Sequence, residues 1–164
     1  MDSTREIERL YQQHGAALVL FGNTIAGERS MAQDAVQQVF LRLIETDSIR
    51  RASDPAAYLF ASVRNQLLNQ MRVRERSLPL DPDAAWFDPP ERDYAAEANL
   101  RRALAEVALD QSQVIVLHIW GELTFSQIGD VLSINANTAA SRYRYGIETL
   151  REIMCFREKS NANR

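Results

Sequence analysis

Apolar residues recur at steps of three and four along most of this chain, the spacing of helices with one buried face. In the first half this pattern predicts three helices, over residues 4–22, 30–45 and 56–74, with Gly22 and Gly27 bracketing the first break. Asp54 followed by Pro55 is a cap-then-proline start for the third helix. The side chains expected to face inward are Ile7, Leu10, Tyr11, Ala17, Leu18, Phe21, Ala32, Ala35, Val36, Val39, Phe40, Leu43, Ile44, Leu59 or Phe60, Val63, Leu67 and Met71.

The stretch over residues 117–150 predicts two short helices joined by a tight turn. Thr124 and Gln127 have the spacing of a capping box, so a helix is expected to begin at Phe125. Its apolar pattern stops at Ser133, and Asn135 is a good cap for a second helix. The inward positions of the pair are Phe125, Ile128, Val131, Leu132, Ala139, Tyr143, Gly146 or Ile147, and Leu150.

The outward face of that second helix is polar and arginine-bearing. It comprises Asn137, Thr138, Ser141, Arg142, Arg144 and Tyr145. In a helix-turn-helix these turns enter the DNA major groove, where arginine reads guanine, asparagine reads adenine, and serine or threonine holds phosphate. The alternative interpretation is a solvated face in a helical bundle.

Between the two halves the composition changes. Residues 77–96 contain four prolines and many acidic residues, which predicts a flexible linker in which Trp86 and Phe87 could contact a neighbour. Beyond the linker, Leu100, Leu104 and Val107 suggest a helix, and Asp110 is expected to cap another over residues 114–120. The sequence thus predicts an all-α protein of two small helical domains, at 1–76 and 99–164, joined by a linker at 77–98.

The net charge of −3 hides a local basic segment. Residues 50–76 hold six arginines and two acidic residues, whereas residues 77–99 hold one arginine and six acidic residues. Arginine suits bidentate contacts to phosphates and bases. With Tyr58 and Phe60 nearby, the third helix is suited to single-stranded nucleic acid, which needs cations for the backbone and aromatic faces for the bases. Alternatively, both aromatic residues belong to the core.

Other classes of protein find little support in the sequence. The longest apolar run, over residues 16–21, is too short to span a membrane, and the first residues do not resemble a secretory signal, so a cytoplasmic location is expected. Cys155 has no disulfide partner, and His14 and His118 do not suggest a metal site. No nucleophile, base and orienting acid can be proposed. We therefore expect neither enzymatic activity nor a cofactor.

Three segments resemble the extracytoplasmic-function (ECF) sigma factors of bacterial RNA polymerase. DAVQQVFLRL at residues 34–43 and AYLFASVRNQLLNQMR at 57–72 resemble the second conserved sigma region. LTFSQIGDVLSINANTAASR at residues 123–142 resembles the fourth, although Ser133 stands where the turn usually has glycine. The resemblance implies a factor that binds core polymerase and directs promoter-specific initiation.

The same resemblance implies roles for individual residues. Those placed where the family grips the polymerase clamp helices are Asp34, Gln37, Gln38 and Arg42. Those placed where it opens and holds the downstream promoter element are Arg50, Arg51, Arg64, Asn65, Asn69 and Arg72. Those placed on the helix that docks on the upstream element are Asn137, Thr138, Ser141, Arg142 and Arg144. An anti-sigma factor is a further partner that the resemblance allows.

Two other interpretations remain open at this point. A stand-alone helix-turn-helix regulator would bind duplex DNA without polymerase, usually as a symmetric dimer. A helical adaptor would use the same faces for protein contacts alone.

Overall fold

The computed structural model describes residues 3–76 and 94–164. Within these ranges the chain forms seven α-helices and one short 3-10 helix, and the all-α prediction is confirmed. The elements are α1 (Ser3–Ala26), α2 (Arg29–Thr46), η1 (Ser48–Arg51), α3 (Pro55–Arg76), α4 (Tyr94–Glu106), α5 (Leu109–Ile119), α6 (Phe125–Leu132) and α7 (Ala136–Ala162). Trp86, Phe87 and most of the predicted linker lie outside the described residues, and residues 94–98 form the start of α4.

Helices α1, α2 and α3 pack around a shared apolar core. Helix α1 continues through Gly22, and the break falls only at Gly27, whose φ of 71° is left-handed. Gly22 instead permits close packing, because a Cβ there would lie 3.0 Å from the Cβ of Ala32 and 3.2 Å from Leu67 Cδ1. Predicting a break at Gly22 was therefore wrong: this glycine serves helix contact.

Two residues predicted to face inward are exposed. Ile44 is 56 % exposed, because it lies about 100° around α2 from its buried neighbour Leu43. Tyr11 is 50 % exposed, and the edge of its ring meets Phe40 at a centroid distance of 5.1 Å. Both errors came from extending a buried stripe by one position.

Helix starts are determined by local hydrogen bonds. Asp54 caps α3 as predicted, since its Oδ1 accepts a hydrogen bond from the Ala57 backbone N–H at 3.1 Å. The predicted cap at Asp110 is wrong. Helix α5 begins at Leu109 after Ala108, which makes no side-chain cap, and Asp110 lies in the first turn.

The predicted helix-turn-helix is present as α6 and α7. Thr124 Oγ1 accepts from the Gln127 N–H at 3.2 Å, and Gln127 Oε1 accepts from the Thr124 N–H at 2.8 Å, which completes the capping box. Asn135 caps α7 by accepting from the Asn137 N–H at 2.7 Å. Between them Ser133 has φ 57° and ψ 46°, so a non-glycine residue adopts the left-handed conformation at this turn.

Two substitutions at the turn between α6 and α7 are expected to change the free energy of unfolding in opposite directions. A Cβ at Gly129 would lie 2.6 Å from the Ile134 carbonyl oxygen, so Gly129→Ala is expected to destabilise the protein by about 1–3 kcal/mol. Ser133→Gly relieves left-handed strain and is expected to stabilise it by about 1 kcal/mol. Urea unfolding of the full chain measures both. An unchanged midpoint for Gly129→Ala would contradict the close approach.

The two halves of the chain also pack against each other, α1 against α5 and α3 against α6. Phe60, fully buried, lies at this junction, where a Cβ on Gly121 would come within 3.0 Å of its ring. His14 is buried beside it, and this burial lowers the pKa of His14, opposed by the carboxylates of Glu122 and Asp54. Of the helices in the described ranges, none has the length and apolar character required to span a membrane.

Candidate nucleic-acid interface

The first turns of α7 carry the predicted polar face. Asn137, Thr138 and Arg144 are exposed, whereas Ser141 and Arg142 are half-buried. The face lies directly after the tight turn, and the buried residues Ala139, Gly146 and Leu150 hold the opposite side of α7 against the core. The structure therefore presents these side chains together on one helix, at the end nearest α6.

The two arginines of this face are held differently. Arg142 Nε lies 3.6 Å from Asp110 Oδ2, so an ion pair directs it toward the start of α5. The guanidinium of Arg144 lies 5.6 Å from the ring centroid of Tyr145, an exposed residue. Such a cation–π contact holds the guanidinium above the face of the ring but leaves the N–H groups of Arg144 available as hydrogen-bond donors. Of the two, Arg144 is freer to contact a partner.

A second polar surface runs along α3. Tyr58, Asn65, Asn69 and Arg72 are exposed and follow each other at steps of seven, four and three, so they share one side of the helix. Tyr58 is 38 % exposed and belongs to this surface, whereas Phe60 belongs to the core. Arg64 does not join them: it is half-buried and lies about 100° around the helix from Asn65.

The short helix η1 extends the α3 surface. Tyr58 Oη donates to Ser48 Oγ at 3.4 Å, which brings the start of η1 beside α3. Ile49 anchors η1 in the core, while Arg50 and Arg51 are exposed. Arg50 Nε also lies 3.5 Å from Asp47 Oδ1, both side chains being about half exposed. Cations, amides and one aromatic ring thus occur on adjoining elements.

The third surface is the outer side of α2. Asp34, Gln37 and Gln38 are exposed as predicted, and Leu41, 53 % exposed, continues the same side one turn further on. Exposed Ile44 flanks it. Sequence reasoning missed Leu41 and Ile44, although their spacing of seven from Asp34 and Gln37 was a signal that could have found them.

Arg42 lies at the edge of the α2 surface rather than in it. Its Nη2 donates to Gln66 Oε1 on α3 at 3.0 Å, a contact that turns the guanidinium toward the neighbouring helix. Among the described residues there is no group of three or more His, Cys, Asp or Glu side chains that could hold a metal ion. The three surfaces together offer exposed cations, amides and apolar side chains, which are the groups that proteins use to contact nucleic acids and other proteins.

The sequence matches the family model described as sigma-70 region 2 over residues 10–77, from within α1 to just past α3. It is 28 % identical over 152 residues to the ECF RNA polymerase sigma factor SigL of Mycobacterium tuberculosis, covering 87 % of this chain and 85 % of that protein. The ECF RNA polymerase sigma factor SigE of Mycolicibacterium smegmatis is 23 % identical over 156 residues, covering 90 % of this chain and 61 % of that protein.

The fold is also similar to a solved one. The sigma factor RpoE, in its complex with the anti-sigma factor NepR from Bartonella quintana, matches with a TM-score of 0.66 over 90 % of this chain and 94 % of that chain, at 22 % identity. The helical match extends through both halves, while the region 2 model and the named relatives agree on one family. Residues 10–77 thus match sigma-70 region 2, and over most of its length the chain is similar to ECF RNA polymerase sigma factors.

Proposed function

We propose that this chain is a sigma factor that binds core RNA polymerase and directs it to specific promoters. The observation that carries the proposal is the pair of separate polar surfaces, on α3 and on α7, in a chain that is similar to ECF sigma factors. Factors of this kind are initiation factors rather than enzymes, and the polymerase performs the chemistry. The site of action is then the cytoplasm, where the polymerase works.

The three surfaces have distinct roles in this proposal. The α2 surface, with Asp34, Gln37, Gln38 and its edge residue Arg42, binds core polymerase. The surface formed by η1 and α3 holds the opened downstream element, because it combines the cations that a phosphate backbone needs with amides and an aromatic face for bases. Its residues are Arg50, Arg51, Tyr58, Asn65, Asn69 and Arg72, with Arg64 at one side.

The first turns of α7 dock on the upstream element in duplex form, through Asn137, Thr138, Ser141, Arg142 and Arg144. We retain the division into domains at 1–76 and 99–164, with a linker at 77–98. The similar solved structure is a complex with an anti-sigma factor, and we extend that class of partner to this chain.

Run-off transcription tests the function directly. Purified core polymerase with this chain is expected to yield discrete transcripts from a genomic promoter that neither component transcribes alone. A gel-shift titration near physiological salt complements it, and the isolated chain is expected to bind that promoter only weakly. Nanomolar specific binding by the chain alone, without polymerase-dependent transcription, would favour a stand-alone regulator.

We predict unequal roles for the two α7 arginines at the upstream element. Arg144→Ala removes exposed donors and is expected to reduce transcription from promoters that carry the element, by about 5- to 150-fold for a base contact worth about 1–3 kcal/mol. Arg142→Ala is expected to reduce this transcription by a smaller factor, because Asp110 already pairs with that side chain.

Lys159→Ala is the matched control, since this exposed cation lies 15 residues further along α7, or about 22 Å. Templates with and without the upstream element separate base reading from phosphate contact, which would weaken all sequences alike. Equal activity of wild type and Arg144→Ala on both templates would contradict the α7 assignment.

A further inference from the structure

We propose that Asp54 and Gln127 form a latch that holds the free chain closed, and that the latch must release when core polymerase engages the two halves. The inference rests on the proposed function and adds a closed state to it. The two residues lie 73 positions apart in the sequence, and Gln127 Nε2 donates a hydrogen bond to Asp54 Oδ2. This contact links the start of α3 to the start of α6.

Each latch residue is also the cap of its own helix. Asp54 uses Oδ1 to cap α3 through the Ala57 N–H, which leaves Oδ2 for Gln127. Gln127 uses Oε1 to accept from the Thr124 N–H in the α6 capping box, which leaves Nε2 for Asp54. Both capping bonds stay within their own half. Breaking the latch therefore removes the contact between the two halves but leaves both helices capped.

Close packing surrounds the latch at the junction between the two halves. The backbone of Gly121, in the turn between α5 and α6, approaches the buried ring of Phe60, and any side chain at Gly121 would collide with that ring. His14 packs edge-on to Phe60 at a centroid distance of 6.4 Å. This packing and the Asp54–Gln127 hydrogen bond join the halves at the latch, and a partner that competes for both can separate them.

The latch lies close to the surfaces that the proposed function uses. Asp54 lies between η1, with Arg50 and Arg51, and Tyr58 on the first turns of α3. Gln127 lies on α6, which positions α7. While the latch is closed, the downstream and upstream reading surfaces keep one fixed spacing. When polymerase sets a different spacing between the two promoter elements, the halves must separate to reach both.

Polarity reversal tests the latch. Asp54→Asn keeps an oxygen for the α3 cap but turns an amide NH₂ toward that of Gln127, and Gln127→Glu keeps the capping box but places two carboxylates face to face. Each single variant is expected to shift the closed-to-open ratio about tenfold toward open, the value of a hydrogen bond to a charged group. The double variant pairs the new amide donor with the new carboxylate and is expected to restore closure.

Two readouts decide the outcome. The first is the distance distribution between labels on Cys155, which is exposed, and on Gln12→Cys in α1, in the full chain without polymerase or DNA. The second is the affinity for core polymerase, which is expected to increase in each single variant and return toward wild type in the double variant. Melting curves verify that all variants fold.

The results separate the latch from the proposed function. Single variants as closed as wild type, or a double variant as open as the singles, would overturn the latch. Open single variants that bind core polymerase no more tightly would overturn its competition with polymerase. A chain that shows the reversal pattern in the distance measurement but supports no run-off transcription would overturn the proposed function instead.

Discussion

Asp34→Arg is expected to weaken binding of this chain to core RNA polymerase by about 30-fold or more, the loss found at an interface hot spot. Asp34 lies on the exposed side of α2 with Gln37, Gln38 and Leu41, where reversing the charge opposes any complementary surface on the partner. Because the side chain is exposed, the fold should be unaffected. Affinity measured with immobilised core enzyme, together with a melting curve, tests both statements.

Two further variants define the extent of this surface. Leu41→Glu is expected to produce a loss similar to that of Asp34→Arg, since it removes an exposed apolar side chain from the same face. Gln37→Ala combined with Gln38→Ala should produce a smaller one. Glu8→Arg is the matched control, because it makes the same charge reversal at an exposed position on α1. If the α2 variants bind as tightly as the Glu8→Arg variant, this side of α2 is merely solvated.

Tyr58→Ala and Asn65→Ala are expected to impair promoter opening more than polymerase binding. Both side chains lie on the exposed side of α3, where an aromatic ring and an amide can hold unpaired bases. Loss of one stacking contact, worth about 1–3 kcal/mol, corresponds to about 5- to 150-fold in the open complex. Permanganate footprinting of the opened strand measures this effect.

A template with a pre-melted downstream element provides the decisive comparison. It supplies the unpaired bases without the energy of opening, so it should restore much of the activity of both variants. Gln13→Ala on α1 controls for loss of an exposed side chain elsewhere, as an amide change matched to Asn65→Ala. Equal losses on duplex and pre-melted templates would show that the α3 surface acts at another step.

Arg64 was grouped with Asn65 by the resemblance to ECF sigma factors, but the structure separates them. Arg64 is half-buried and lies on a different side of the helix. Arg42 likewise turns toward Gln66, away from the α2 residues with which it was grouped. In both cases the resemblance assigned a role to the residue, whereas packing between helices determined the direction of its side chain.

Elements that depend on neighbouring residues could be predicted from local sequence patterns. The capping box at Thr124 and Gln127, the caps at Asp54 and Asn135, and the apolar spacing of α6 act within one or two turns, so a local pattern suffices to predict them. The motifs of both halves, together with their order along the chain, likewise predicted the resemblance to ECF sigma factors, and the relatives confirm it.

Features that join distant positions could not be predicted in this way, because they depend on how the helices pack. The exposure of Ile44 and Leu41 depends on which side of α2 is covered by α1 and α3. The sequence of α2 alone does not show which side that is. The flexible two-domain description gave no reason to expect α3 to pack against α6 or Phe60 against Gly121. Asp54 and Gln127 were each predicted as a local cap, but their bond across 73 residues depends on that packing, because hydrogen bonds between elements form only where the fold brings donor and acceptor together.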